Sequence, residues 1–323
     1  MQLPINKIVS IQPFQKSTFT CYYNDMATVA LWLKRDYELM FSESWSFKYY
    51  ENPTNTGKIN PNNGYSFDVI RDYHGINITK KTPYTFDELI EAIETEVIKG
   101  YPVIFSTNAY FCTWNPSYQK QYFPHFCLAI GVDFEAKEIL CMDPYFTSEI
   151  ITLPFQNLKD SYDHYFTFEK QDVKSIGSEW KNILHITMNK VFGSNKDENT
   201  FYNIREFSKL FDSSFEIIEE TSKFDNLLDF SPGLLVLTHV EWARFNVSGY
   251  FNYIADQCSV PELIDFSGQM VKTSKNWSVL KSILCRACIT KNNNLSKLAA
   301  KKIREIADYE EEIANKLLEF ISK

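Results

Sequence analysis

The 323-residue sequence predicts an α+β protein, with a sheet-bearing N-terminal region and an α-helical C-terminal one. Three observations carry this. Short apolar runs with period 2, Val103–Phe105 and Phe126–Val132 among them, alternate with helical patterns before residue 192. A polar stretch, Gly193–Asn199, then reads as a linker. Beyond it only long patterns of period 3.6 remain, over 200–220, 235–257, 260–287 and 295–322. The expected domains are therefore 1–192 and 200–323.

In chain order, residues 1–20 read as extended structure ending in the polar run Gln15–Thr20. Cys21 opens a helix expected to continue to Leu39, with Met26, Val29, Ala30, Leu33 and Tyr37 at helical spacing. Residues 50–64 read as a loop. A short helix over Phe67–Tyr73 should stop at Gly75, before an Ile76–Ile78 strand. Thr85-Phe-Asp-Glu88 is a capping box, and Gly100 with Pro102 ends the helix it starts. Val103–Phe105 is then a buried strand, and Asn108–Pro124 an aromatic-rich loop. In the last helix, Leu295, Leu298, Ile306, Ile313, Leu317 and Phe320 share a stripe.

The composition bounds the function. Apolar residues make up 44% and aromatics 16%, enough for a full core. A net charge of −8 argues against a general nucleic-acid binder. Met1–Phe14 holds two prolines and no apolar run, so no signal peptide is read. No apolar segment is long enough to span a membrane. Seven cysteines without a compact framework fit reduced thiols and a cytoplasmic location. No two glycines stand two apart, which removes dinucleotide and P-loop fingerprints, and no H-x-x-x-H pair exists. Cys285-Arg-Ala-Cys288 has half a zinc-site spacing but lies in a helical pattern with no second half. No metal and no resident cofactor are expected.

The stretch His125–Asp143 reads as a β-hairpin. With its turn centred on Phe134, residues whose numbers sum to 268 oppose each other. That pairs Phe126 with Met142 and Leu128 with Leu140, and sets His125 opposite Asp143. An imidazole oriented by a carboxylate is a general base in need of a nucleophile, and Cys21 at a helix start is the candidate. A helix dipole there favours the thiolate. Gln15 is a candidate oxyanion donor, with Gln12 as a competitor. Each residue alone has a bland reading as packing or surface. The chain order Cys, His, Asp is that of the papain-like arrangement. The loop 108–124 enters the hairpin at His125, so Asn108, Tyr110 and Trp114 are expected to border the cleft, as acceptor-pocket or packing residues.

These features resemble the papain-like family typified by the N-terminal domain of butirosin-biosynthesis protein H, more distantly related to double-glycine peptidases. The resemblance rests on Cys21 opening its helix, on Gly100-Tyr-Pro102-Val-Ile104, and on His125-Phe, Gly131-Val-Asp133 and Asp143-Pro144. It covers about residues 10–170. It implies a cysteine acyltransferase of specialised-metabolite (antibiotic-type) biosynthesis. The acyl group would come from the phosphopantetheine thioester of an acyl carrier protein, pass through Cys21, and go to a small-molecule amine. That family often carries an Asp after the Gly-x-Pro strand, where this chain has Asn108. Two other readings stay open: hydrolysis by the same triad, and a catalytically silent binding protein with this fold.

Overall fold

The computed structural model describes residues 7–50, 59–61, 66–213, 232–290 and 292–323. The chain divides into two compact units, one of Met1–Tyr37 with Ile70–Lys174, the other of Glu38–Val69 with Ser175–Lys323. This division differs from a single cut at 193–199. The segment 38–69 groups with the C-terminal helices, as does the helix Trp180–Phe192.

The first unit is α+β. Its elements are α1 (Cys21–Trp32), β1 (Ile76–Lys81), α2 (Phe86–Ile98), β2 (Val103–Asn108), β3 (Pro124–Asp133), β4 (Glu138–Met142), β5 (Ile150–Pro154) and β6 (Tyr165–Lys170). The strands form one antiparallel sheet in the order β1-β6-β2-β3-β4-β5. Both α1 and α2 pack on the central strands β2 and β3. Phe19, Met26, Ala27, Val29, Ile104, Phe105, Leu128, Ile130 and Phe166 are buried there. Removing such apolar surface from water contributes about 25 cal/mol per Å².

Local chemistry sets the element ends. Thr20 caps α1, its Oγ1 accepting from the Tyr23 amide. The helix stops at Trp32, seven residues before the expected Leu39. Lys34 takes a left-handed conformation (φ 57°), and the Arg35 amide bonds back to Ala30 O at 2.9 Å. This is a Schellman-type ending made without glycine, so the sequence carried no stop signal. Gly75 (φ 64°) and Gly100 (φ 89°) do stop their helices in the left-handed region. In the capping box, Thr85 Oγ1 accepts from the Glu88 amide, while Glu88 reaches back to the Tyr84 amide rather than to that of Thr85.

The hairpin register differs from the expected one. Leu128 faces Met142 and Ala129 faces Cys141; after a β-bulge, Gly131 faces Leu140 and Val132 faces Ile139. The turn lies later than Phe134. Asp133 Oδ1 accepts from the amides of Glu135 and Ala136, and Lys137 (φ 56°) closes the turn before Glu138. Asp143 therefore lies just past the end of β4 and is not directly opposite His125.

The second unit packs α3 (Trp180–Phe192), α4 (Thr200–Ser213), α5 (Pro232–Cys258), α6 (Glu262–Thr290) and α7 (Asn293–Ser322). Part of the helix expected over 200–220 lies outside the described residues. On α7, Ala299, Ile303, Ile306, Ala307, Ile313, Ala314, Leu317 and Ile321 face the core, whereas Leu298 of the expected stripe is 47% exposed. Phe47 stacks on Trp277 in the same core, at 5.6 Å between ring centroids. Arg244 and Glu310 are fully buried and paired, with bonds of 3.1 Å from Nε and Nη2. The indoles of Trp45 and Trp277 also donate to Glu310, at 2.8 and 2.7 Å. No described helix is long and apolar enough to cross a membrane.

Candidate active site

The first unit holds a buried imidazole–carboxylate pair beside the helix start. His125 Nε2 lies 2.7 Å from Asp143 Oδ2, and the two side chains are only 5% and 1% exposed. With the register slipped, the carboxylate reaches His125 diagonally, a separation that side chains on neighbouring strands can bridge. With Nε2 engaged by Asp143, Nδ1 is the nitrogen left to serve Cys21. Cys21, half-buried as the first residue of α1, stands near enough for its charge to act on His125. Burial alone would push the His125 proton off. The charges of Cys21 and Asp143, with the hydrogen bond to Asp143, outweigh it and hold the imidazole well above its ordinary range. The arrangement favours the protonated form of His125.

Asp143 is fixed on three sides. Its Oδ2 also accepts from Trp114 Nε1 at 2.7 Å, and its Oδ1 accepts from the Tyr145 amide at 3.2 Å. Trp114, expected to border the acceptor pocket, is thus a direct partner of the orienting carboxylate. Asn108 stands at the base of the loop that leads into β3. Its Oδ1 accepts from the amides of Tyr110 and Phe123, which closes the loop 109–123 at its base. Tyr110 stacks on Tyr122 at 4.2 Å, with the planes 6° apart, and lies edge-on to Phe111. The loop is stiffened by its own rings.

Gln15 is held close by. The buried Asn24 accepts from the Lys16 amide at 2.9 Å and Thr28 from the Phe14 amide at 3.0 Å, so the chain before α1 is tied onto the helix. Gln15 Nε2 donates to Tyr145 O at 3.2 Å, two residues past Asp143. One N–H of that amide is engaged by the backbone, and the group has two.

Two further residues belong here that the sequence reading passed over. Tyr145 contributes its amide to Asp143 and its carbonyl to Gln15. Asp25 lies one helical turn below Cys21, is 0% exposed, and has no protein hydrogen bond to either carboxyl oxygen among the described residues. The signal for it was legible: an acid at i+4 from Cys21, on the inward face of α1. Cys112, Cys127 and Cys141 are buried thiols of the same unit. Burial pushes Cys127 and Cys141 well up, while a hydrogen bond from Cys127 draws Cys112 down.

His125, Cys127 and Asp143 bring nitrogen, sulfur and oxygen donors within 4.8 Å of one another, types that zinc accepts. The imidazole and the carboxylate are already joined to each other, and the carboxylate to Trp114.

No curated protein matches the chain. Residues 16–171, the stretch that carries Cys21, His125 and Asp143, match the model of the Peptidase_C39 like family, and with its helix-borne cysteine against an antiparallel sheet this part of the chain is similar to papain-like, C39-like cysteine peptidases.

Proposed function

We propose that this protein is a cysteine-dependent acyltransferase in which Cys21 is the nucleophile, His125 the base and Asp143 its orienter. The observation that carries the reading is the buried 2.7 Å His125–Asp143 pair beside a cysteine at a helix start. His125 Nδ1 takes the Cys21 proton. The thiolate attacks the acyl carbonyl of a thioester, forming a tetrahedral oxyanion. The Cys21 amide, among the helix-start N–H groups without an intrahelical acceptor, faces that charge together with the Gln15 side chain. On collapse the bond to the donor sulfur breaks, that sulfur takes the proton from His125 and leaves as a thiol, and the acyl group stays on Cys21. His125 then deprotonates an incoming amine, which takes the acyl group and frees Cys21.

The donor in this reading is the phosphopantetheine thioester of an acyl carrier protein and the acceptor a small-molecule amine, as the butirosin-type resemblance implies. Transfer is supported by enclosure. His125 is 4% exposed and Asp143 0%, with Trp114 bonded to the carboxylate, so little water reaches the relay. A second reading, hydrolysis of a peptide or amide by the same residues, is favoured by the C39-like match.

Intact-protein mass spectrometry with an acyl-carrier thioester separates the two. Transfer predicts an adduct on Cys21 that persists until an amine is added. Rapid loss of the adduct to water supports hydrolysis. Absence of any adduct, or one that survives Cys21→Ala, refutes both.

A further inference from the structure

Asp25 is a buried acid that the relay does not use. Its carboxyl is 0% exposed, and neither oxygen has a hydrogen-bond partner in the described protein. Around it stand Cys21 on its own helix, His125 on β3, Cys141 on β4 and Asp143 just beyond β4. Among these only His125 favours a charged Asp25, and it already serves Cys21 and Asp143.

We propose that Asp25 is a positioning residue of this site, a carboxylic acid that stays protonated while Cys21 is a thiolate and gives up its proton more readily once that sulfur is capped. The proposal rests on the reading of Cys21 as the nucleophile. A thiolate, an imidazolium and the Asp143 carboxylate would together carry one net negative charge beside Asp25, with His125 and Asp143 buried and Cys21 half-buried. A charged Asp25 would add a second, unsolvated and without a hydrogen bond, where burial strongly disfavours ions. Burial first, then the charges of Asp143 and Cys21, push the Asp25 carboxyl well above the usual carboxylate range, against the pull of His125. Acylation or alkylation turns the thiolate into an uncharged sulfur and removes one of these influences. Coupling between two sites is reciprocal, so a neutral Asp25 eases formation of the Cys21 thiolate to the same degree. The spacing makes this possible, since i and i+4 on α1 share one face.

The test is a carbon-13 titration of the aspartate carboxyls in the intact protein, with the Asp25 signal assigned through Asp25→Asn. The titration is run before and after iodoacetamide modification of Cys21, and in Cys21→Ser. The expected result is a protonated Asp25 at pH 7 in the unmodified protein, with its midpoint at least about half a unit lower in both uncharged states, a roughly threefold change in proton affinity. An ionised Asp25 at pH 7, or a midpoint that ignores Cys21, overturns the proposal. The second measurement is the acid limb of Cys21 alkylation in Asp25→Asn. Its midpoint is expected to stay in place, because one neutral group replaces another. A fall of a unit or more means that an anion was removed and overturns the proposal. Should Asp25→Asn fail to fold, Asp25→Glu supplies the assignment by removing that aspartate signal, and the comparison of wild type with Cys21→Ser still decides. Resistance of Cys21 to alkylation counts against the acyl-transfer reading alone, since Cys21→Ser then supplies the uncharged state.

Discussion

Asp143→Asn separates the charge of the orienter from its shape. Oδ2 accepts from both His125 and Trp114 at 2.7 Å, and Oδ1 accepts from the Tyr145 amide at 3.2 Å. Asparagine can place its carbonyl where Oδ2 stands, keeping both shorter contacts. Its NH2 group then faces the Tyr145 N–H, so one long hydrogen bond becomes a pair of opposed donors. A charged hydrogen bond exceeds a neutral one by about 1–1.5 kcal/mol. The opposed donors add about 1–3 kcal/mol, most of it felt as lost fold stability. At 1.4 kcal/mol per decade the expected loss in the Cys21 acylation rate is about 10- to 100-fold. That is well short of the roughly 10⁴ seen when an amide orienter traps the wrong imidazole tautomer. Asp143→Ala takes the acceptor from the His125 and Trp114 N–H groups together, so its loss should reach about 10³ or more. Rapid-quench acylation with a thioester, checked by iodoacetamide labelling, measures both. Equal losses in the two variants would refute the argument from Oδ2, and near-wild-type rates in either would remove Asp143 from the site.

Iodoacetamide should label Cys21 well ahead of the buried Cys112, Cys127, Cys141 and Cys288, and ahead of Cys258 and Cys285, as read by peptide mapping; labelling no faster than theirs would count against an activated thiol. His74, which burial lowers from its ordinary range to about 4, is neutral in the fold and protonated once unfolded below about pH 6.5. The His74 contribution should therefore be intact above pH 6.5 and fall by about 1.4 kcal/mol per pH unit down to about pH 4; burial lowers His239 to about 4 as well, so His74→Asn should remove about half of the slope the two histidines give, and urea titrations in which it keeps the full slope would exclude this histidine as a cause. Glu310→Gln leaves the buried Arg244 guanidinium without its counter-charge and should destabilise by about 3–5 kcal/mol in denaturant titration, whereas under 1 kcal/mol would show that water reaches the pair.

The hairpin shows why part of this site was legible in the sequence and part was not. A period-2 pattern fixes which face a residue lies on, but sliding one strand by two residues leaves every face unchanged. The expected pairing, with sums of 268, has become 270 at Leu128–Met142 and 271 beyond the bulge at Gly131–Leu140. The two-residue slip preserved the faces, so His125 and Asp143 still meet, now along a diagonal. The bulge itself has no sequence signature, and it lies on the turn side of the site, where it leaves the partners of His125 undisturbed. Local signals elsewhere behaved the same way: Thr20 and Cys21 start a helix, and Gly75 and Gly100 stop two. What the sequence could not supply were contacts between distant stretches. Trp114 bonds Asp143 across 29 residues and Gln15 bonds Tyr145 across 130, and no spacing rule links them. Such contacts add partners that spacing does not show: Trp114 bonds the Asp143 carboxylate, and Asn108 closes the base of its own loop. If acceptor specificity lies in the loop 109–123, it must then come from residues whose polar atoms are not already engaged by its backbone. Gln121 and the rim of the stacked Tyr110–Tyr122 pair are therefore better places to alter acceptor choice than Asn108 or Trp114.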